Sequence, residues 1–155
     1  MRWLLGREAD AIAALRRALA ISIDGPHVPT ELMASAELAR LLASTDESEA
    51  AEHLARCGEL LASGEDWRGQ AGAVELARGA VASAQGRHDD ADAAHARALA
   101  TFTTFQLPWK RAETLRSWAQ CCTTAGRATE ADERRRASAQ IYEELDARRR
   151  WSAPP

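Results

Sequence analysis

Aromatic side chains and cysteine are scarce in this sequence, and lysine is nearly absent. Only three of the 155 residues are Phe or Tyr, and Lys110 is the one lysine. The three cysteines, Cys57, Cys121 and Cys122, do not stand at metal-ligand spacing. Adjacent residues of a helix point to different sides, so Cys121 and Cys122 are not expected to pair. All three read as small core residues of a reducing compartment. There is no clean period-2 alternation and there are few β-branched runs, so strands are not supported. No apolar run approaches the roughly 20 residues that a membrane span needs. The stretch Met1–Gly6 meets the charges of Arg7, Glu8 and Asp10 too soon to serve as a signal peptide. A cytoplasmic location is therefore expected. The net charge of −3 gives no reason to expect nucleic acid as the main partner.

Alanine is abundant. Thirty-five residues are alanine, the best helix former and a residue that lets helices approach closely. Ala11, Ala50, Ala91 and Ala131 stand 39, 41 and 40 residues apart within one local pattern. Gly6, Gly86 and Gly126 each precede one of these alanines by five residues, and Thr45 takes the glycine's place before Ala50. Ala11 and Ala91 are followed seven residues on by Ala18 and Ala98, and Ala50 by Cys57. Trp67, Trp109 and Trp151 are spaced by 42. A period of about 40 with one fixed small residue is the signature of stacked helical hairpins. The glycine makes the turn, and the small residue lies where the second helix crosses the first.

Stops and starts predict seven helices. They cover about Arg7–Ile23, Thr30–Ala43, Asp46–Ala62, Trp67–Gln85, His88–Phe105, Pro108–Thr124 and Ala128–Arg149. Ser44 and Glu47 stand at capping-box spacing before the third. Pro108 suits a first helical turn. Met1–Leu5 reads as the stub of a separate preceding helix. The short connections imply antiparallel neighbours.

These residues resemble the tetratricopeptide repeat family, which places a glycine at the hairpin turn and alanine five and twelve residues later, with a large residue between. Gly86, Ala91, His95 and Ala98 match, as do Gly6, Ala11, Leu15 and Ala18. Gly126 and Ala131 match, while Arg135 and Ser138 depart. The family's Leu-Gly pair is represented only by Arg78-Gly79 and Trp118-Ala119. The period exceeds the family's usual length of about 34. The segments around Asp66–Gly69, Ala84–Ala91 and Leu107–Trp109 are also similar to the C-terminal repeat arrays of large bacterial ATPase-containing regulators, LuxR-type transcriptional regulators or adenylate cyclases. No Walker glycine-lysine loop, cyclase segment or DNA-binding segment is present, so those activities do not carry over.

Three groups of residues invite a site. His88, Asp92 and His95 fall near one helical face and have zinc-ligand chemistry. The repeat frame instead puts His95 in a hairpin core and Asp92 outside, and acidic residues there suit a helix N-terminus. Arg134–Arg136 and Arg148–Arg150 are matched by Glu130, Asp132, Glu133, Glu143, Glu144 and Asp146, the pattern of a solvated helix. The tryptophans at helix boundaries read as packing at hairpin junctions. The first helices of the hairpins project Leu32, Ser35, Ala36 and Ala39, then Ala73, Leu76, Ala77 and Ala80, then Glu113, Arg116, Ser117 and Gln120 onto a concave surface. Leu76, Trp109, Glu113, Arg116 and Gln120 are the candidate partner-binding residues. The Lys, Asn and Arg set with which peptide-binding repeats clamp a C-terminal carboxylate is missing from that surface.

The sequence thus predicts an all-α, tetratricopeptide-like right-handed solenoid over residues 1–150, with units of about 1–25, 28–63, 66–106 and 108–150 and a tail at 151–155. The function it supports is a non-catalytic protein-interaction or scaffold module, a part or relative of a bacterial regulator, with no cofactor. Its partner is expected to be a protein or an upstream domain. The alternative is a small-molecule or metal-binding sensor using Trp67, Trp109, His88 and His95. The seventh helix reads as a polar terminal cap, and the apolar stripe of the first as uncovered, which predicts self-association at the N-terminal end.

Overall fold

The computed structural model describes residues 2–23, 28–63 and 69–151, with side chains placed for 8–22, 28–63 and 69–146. Seven helices form among the described residues: α1 (Arg2–Ile23), α2 (Val28–Leu42), α3 (Glu47–Leu61), α4 (Gln70–Ala84), α5 (His88–Thr104), α6 (Pro108–Thr124) and α7 (Ala128–Trp151). The described residues contain no strand. None of these helices is long and apolar enough to cross a membrane.

The turns set the rhythm. Gly86, Gln106 and Gly126 stand 20 residues apart, and each has a positive φ, of 72°, 53° and 75°. Each turn closes with the same pair of bonds. The amide of the next residue donates back across the turn, from Arg87 to Ala82, Leu107 to Phe102 and Arg127 to Cys122, at 2.9, 2.9 and 2.8 Å. These are Schellman closures, which satisfy the carbonyls left free at a helix C-terminus. The α2–α3 turn differs. Both Thr45 and Asp46 donate to the Leu42 carbonyl, and the Asp46 carboxylate then caps α3 by accepting from the Glu49 amide at 3.0 Å. The cap is therefore Asp46, two residues beyond the expected Ser44, because the turn is not complete until Asp46.

Each helix packs mainly on its chain neighbours, and α4 reaches furthest, touching α2, α3, α5 and α6. The α2–α3, α4–α5 and α6–α7 pairs are hairpins, and α4 also lies against α2 and α6. Ala50, Ala91 and Ala131 are all fully buried, as the repeat requires. Ala11 is exposed. In α1 the inward stripe is instead Ile12, Leu15 and Leu19, packed on a core of Leu38, Leu42, Ala50 and Val81. The reason is that α1 is continuous from Arg2 through Gly6. No turn forms at Gly6, no separate stub helix precedes it, and among the described residues no helix covers Ala11 as α4 covers Ala91 through Ala82.

The projected concave lining is also corrected. Leu32, Ser35, Ala36, Ala39, Leu76 and Ala77 are all 2% exposed or less. Leu32, Ala36, Ala39 and Ala77 join Cys57 and Val74 in the core shared by α2, α3 and α4. In an alanine-rich chain the apolar stripe is consumed by close helix contact, and little remains to line a groove. The closest approach is at Gly79, where a Cβ would come within 2.6 Å of the His95 ring.

Candidate binding surface on the sixth and seventh helices

Four of the five candidate partner-binding residues, Trp109, Glu113, Arg116 and Gln120, lie at i, i+4, i+7 and i+11 of α6, one helical stripe. Trp109 is 49% exposed, and Arg116 and Gln120 are exposed as well. Glu113 is only partly available, since it accepts from Lys110 Nζ at 3.0 Å. The same ammonium lies 4.3 Å from the Trp109 ring and 3.6 Å from Glu37 of α2. One lysine therefore ties α6 to α2 across α4. Leu76 is apart from this stripe. It is 1% exposed and packs with Ala98 and Phe102, so it supplies core rather than contact surface.

Around the N-terminus of α6 the surface is hollow. Trp109, Tyr142 and Leu145 line one groove of about 470 Å³. Tyr142 is 44% exposed, an unusual state for two large aromatics sharing a groove. A second groove of about 460 Å³ runs between the end of α5 and the second half of α7, with Arg111 and Leu115 of α6 as its floor. Ile141 and Leu145 add an apolar wall, while Gln106, Gln140 and Glu144 bring polar ends. Arg111 is half-buried, and its Nε is buried with no hydrogen-bond partner. Leaving a buried N–H unpaired costs about 1–3 kcal/mol, and more for a charged group.

Another groove, between α3 and α5 over α4, holds arginines whose charge is matched within the protein. There Arg78 and Arg97 line the wall, and Glu75 accepts from both, at 2.7 and 2.8 Å. Gly86 and Gly126 end the two floor helices 40 residues apart, so Glu75 corresponds to Leu115. In the same register Arg78 and Arg97 correspond to Trp118 and Ala137, and Arg111 to Ala71, so Arg111 is a cation that the earlier unit lacks.

A second polar group lies where α5, α6 and the start of α7 meet. His95 is fully buried. Its Nδ1 lies 2.7 Å from the Ala91 carbonyl and its Nε2 3.1 Å from Ser117 Oγ. Because a carbonyl only accepts, Nδ1 carries the proton and the hydroxyl donates to Nε2. Burial pushes the imidazole below its ordinary pKa, against smaller raising effects of the Ala91 bond and Asp92. The ring stacks on Trp118 with centroids 5.8 Å apart, and Arg134 lies 4.1 Å over the other ring. Trp118 Nε1 donates to Asp92 at 2.5 Å, and Arg127 holds the same carboxylate through two bonds. The Arg127 guanidinium keeps the Asp92 carboxyl below its usual range. Asp92 is thus part of a junction and not the outside residue expected.

This junction is fully spoken for. The ring nitrogens of His95 and the oxygens of Asp92 are engaged within the protein, so His88, Asp92 and His95 do not converge. Among the described residues no three His, Cys, Asp or Glu side chains are placed to hold a metal ion. Trp67 lies outside the described residues, as do the side chains of Trp151 and Arg148–Arg150. The cysteines are free and buried, and burial raises the Cys57 thiol to about 11.

No protein-family model, curated protein or solved structure matches this chain. Sequence reading missed Arg111 and Gln106. A signal existed for both: 20 residues after Ala91 and before Ala131 stands Arg111, and Gln106 stands midway between Gly86 and Gly126. Each breaks a pattern that its neighbours keep, and both breaks line the same groove.

Proposed function

We propose that this chain is a non-catalytic protein-interaction module whose hairpins stack as a right-handed, tetratricopeptide-like solenoid. It acts in the cytoplasm, within or beside a bacterial signalling or transcriptional regulator. The stacking reading is supported by the order of contacts, with α2, α4 and α6 in series and each hairpin partner packed behind its own first helix. The buried alanines at matching places of three helices support it further.

The observation that carries the interaction reading is the pairing of two exposed aromatics, Trp109 and Tyr142, on one groove. Exposed aromatics of that size are the usual anchors of a docking surface. Glu113 and Lys110 of the same region are held by each other, while Glu143 and Asp146 add carboxylates to the groove beside the apolar anchors. A photo-crosslinking side chain at position 142 in the native host, compared with one at the exposed Ala51 of α3, tests this. A discrete protein adduct is expected from 142 and absent from 51, and Trp109→Ala should diminish it. Equal labelling from both positions, or none from 142, refutes the assignment.

A further inference from the structure

We propose that the groove between α5 and α7 is a site for a single carboxylate carried on an apolar body, with Arg111 as the residue that holds the carboxylate. Three observations lead there. Arg111 lines a groove of about 460 Å³, and its Nε is buried without a partner. That volume falls in the range of small-ligand sites. One repeat of 40 residues earlier Ala71 stands at the place of Arg111, so this cation is particular to the present groove and brings no internal acceptor with it. The missing acceptor is one that a ligand can supply. Third, the turn beside the groove is built at a cost. Gln106 holds a left-handed φ of 53° where the turns before and after use glycine, and its side chain lines the groove.

The chemistry of the lining narrows the ligand. Among the described residues Arg111 is the one cation in the groove, and Glu144 stands at its rim, bonded to Gln140 at 3.3 Å. A dianion such as a phosphate monoester would meet one positive and one negative group. A carboxylate matches the planar guanidinium fork with two parallel bonds and a single charge. Leu115, Ile141 and Leu145 then offer apolar contact for the body that bears it. The side-chain amides of Gln106 and Gln140 suit a second polar group. Two sources carry such a carboxylate, a free organic acid and an acidic side chain of a bound peptide segment. The acid binds whether or not a protein docks at Trp109, so this site and that surface stand or fall separately.

The test uses the whole chain, isotopically labelled, at neutral pH and low ionic strength. One arm titrates 4-phenylbutyrate against its uncharged primary amide. The other titrates a blocked apolar peptide with one central Glu against the same peptide with Gln. Shifts are expected at the backbone amides of Leu115, Ala137 and Ile141, with the acid at least about ten-fold tighter than the amide, as loss of a charge-assisted pair implies. Binding of the free acid alone identifies a small-molecule site, and Glu-dependent binding of the peptide identifies an acidic segment; either supports the proposal. Arg111→Met should reduce the acid to the level of the amide, and Arg111→Lys should fall between. Glu144→Gln should tighten binding about two- to five-fold by removing a like charge. Equal affinity for acid and amide, in both arms, overturns the proposal, as does a folded Arg111→Met that binds like the native chain. No shift in the groove with any probe overturns it too. Should Arg111→Met not fold, the comparison of acid with amide in the native chain decides alone.

Discussion

His95 shows how one residue converts packing into pH dependence. It fills the space that Gly79 leaves empty, and its two nitrogens are satisfied by Ala91 and Ser117. Its folded pKa is depressed, chiefly by burial, so the unfolded chain takes up a proton more readily than the native one. The sign follows. No penalty arises above the unfolded value of about 6.5, and stability falls as pH drops from there towards the folded value. Urea unfolding at pH 7.0 and 5.5 should show a larger loss in the native chain than in His95→Gln, all other groups being common to both. Equal losses would mean that His95 titrates alike in the two states. Asp92 acts in a separate window. Its carboxyl is depressed by Arg127, so that contribution is present above about 3.9 and is lost only as pH falls through the lower folded value. The core position of His95 was legible from its spacing after Gly86 and Ala91. Its stack on Trp118 and the bond to Ser117 were not, because they join residues on different helices that no local pattern relates.

At the scale of the element, the turns were readable where they obey the glycine rule and opaque where they do not. Gly86 and Gly126 announced the ends of α4 and α6, and Pro108 the start of α6. Gly6 obeyed the same spacing and misled, since α1 passes through it without turning. A glycine permits a turn but does not compel one; the compulsion comes from a neighbouring helix to pack against. Gln106 is the opposite case, a turn without its glycine. An L-residue in the left-handed region costs about 1–2 kcal/mol, partly offset here by the two amide bonds that close the turn. Gln106→Gly should accordingly raise unfolding stability by about 0.5–1 kcal/mol, read as an increased denaturant midpoint with an unchanged slope. A destabilised variant would mean that the Gln106 side chain makes contacts that outweigh its strain. The same variant keeps Arg111 in place, so it separates the turn's conformational cost from the groove's charge.

Across the whole molecule, the contacts are graded along the chain. Among the described residues α4 is packed by α2, α3, α5 and α6, whereas α7 packs mainly on α6 and α1 mainly on α2. Ile21 of α1 is 70% exposed and Met33 of α2 55%, and Tyr142 of α7 is 44% exposed. α1 meets α3 through the apolar cluster that holds Ala50 and through the Arg16–Glu49 pair at 2.6 Å, a solvent-exposed ion pair worth little in water. Lys110 reaches Glu37 across α4 and so closes the middle of the molecule over its most buried helix. A helix opens locally at a free energy set by the apolar area it loses, and one-sided helices lose less. Native-state hydrogen exchange should therefore rank α4 slowest, followed by its hairpin partner α5 and by α2. α1 and the second half of α7 should exchange fastest. Adding a saturating carboxylate ligand should slow α7 selectively, because the proposed groove lies between α5 and α7. Uniform protection from α1 to α7 would show that the molecule opens only as a whole and that its ends are held by more than their visible neighbours.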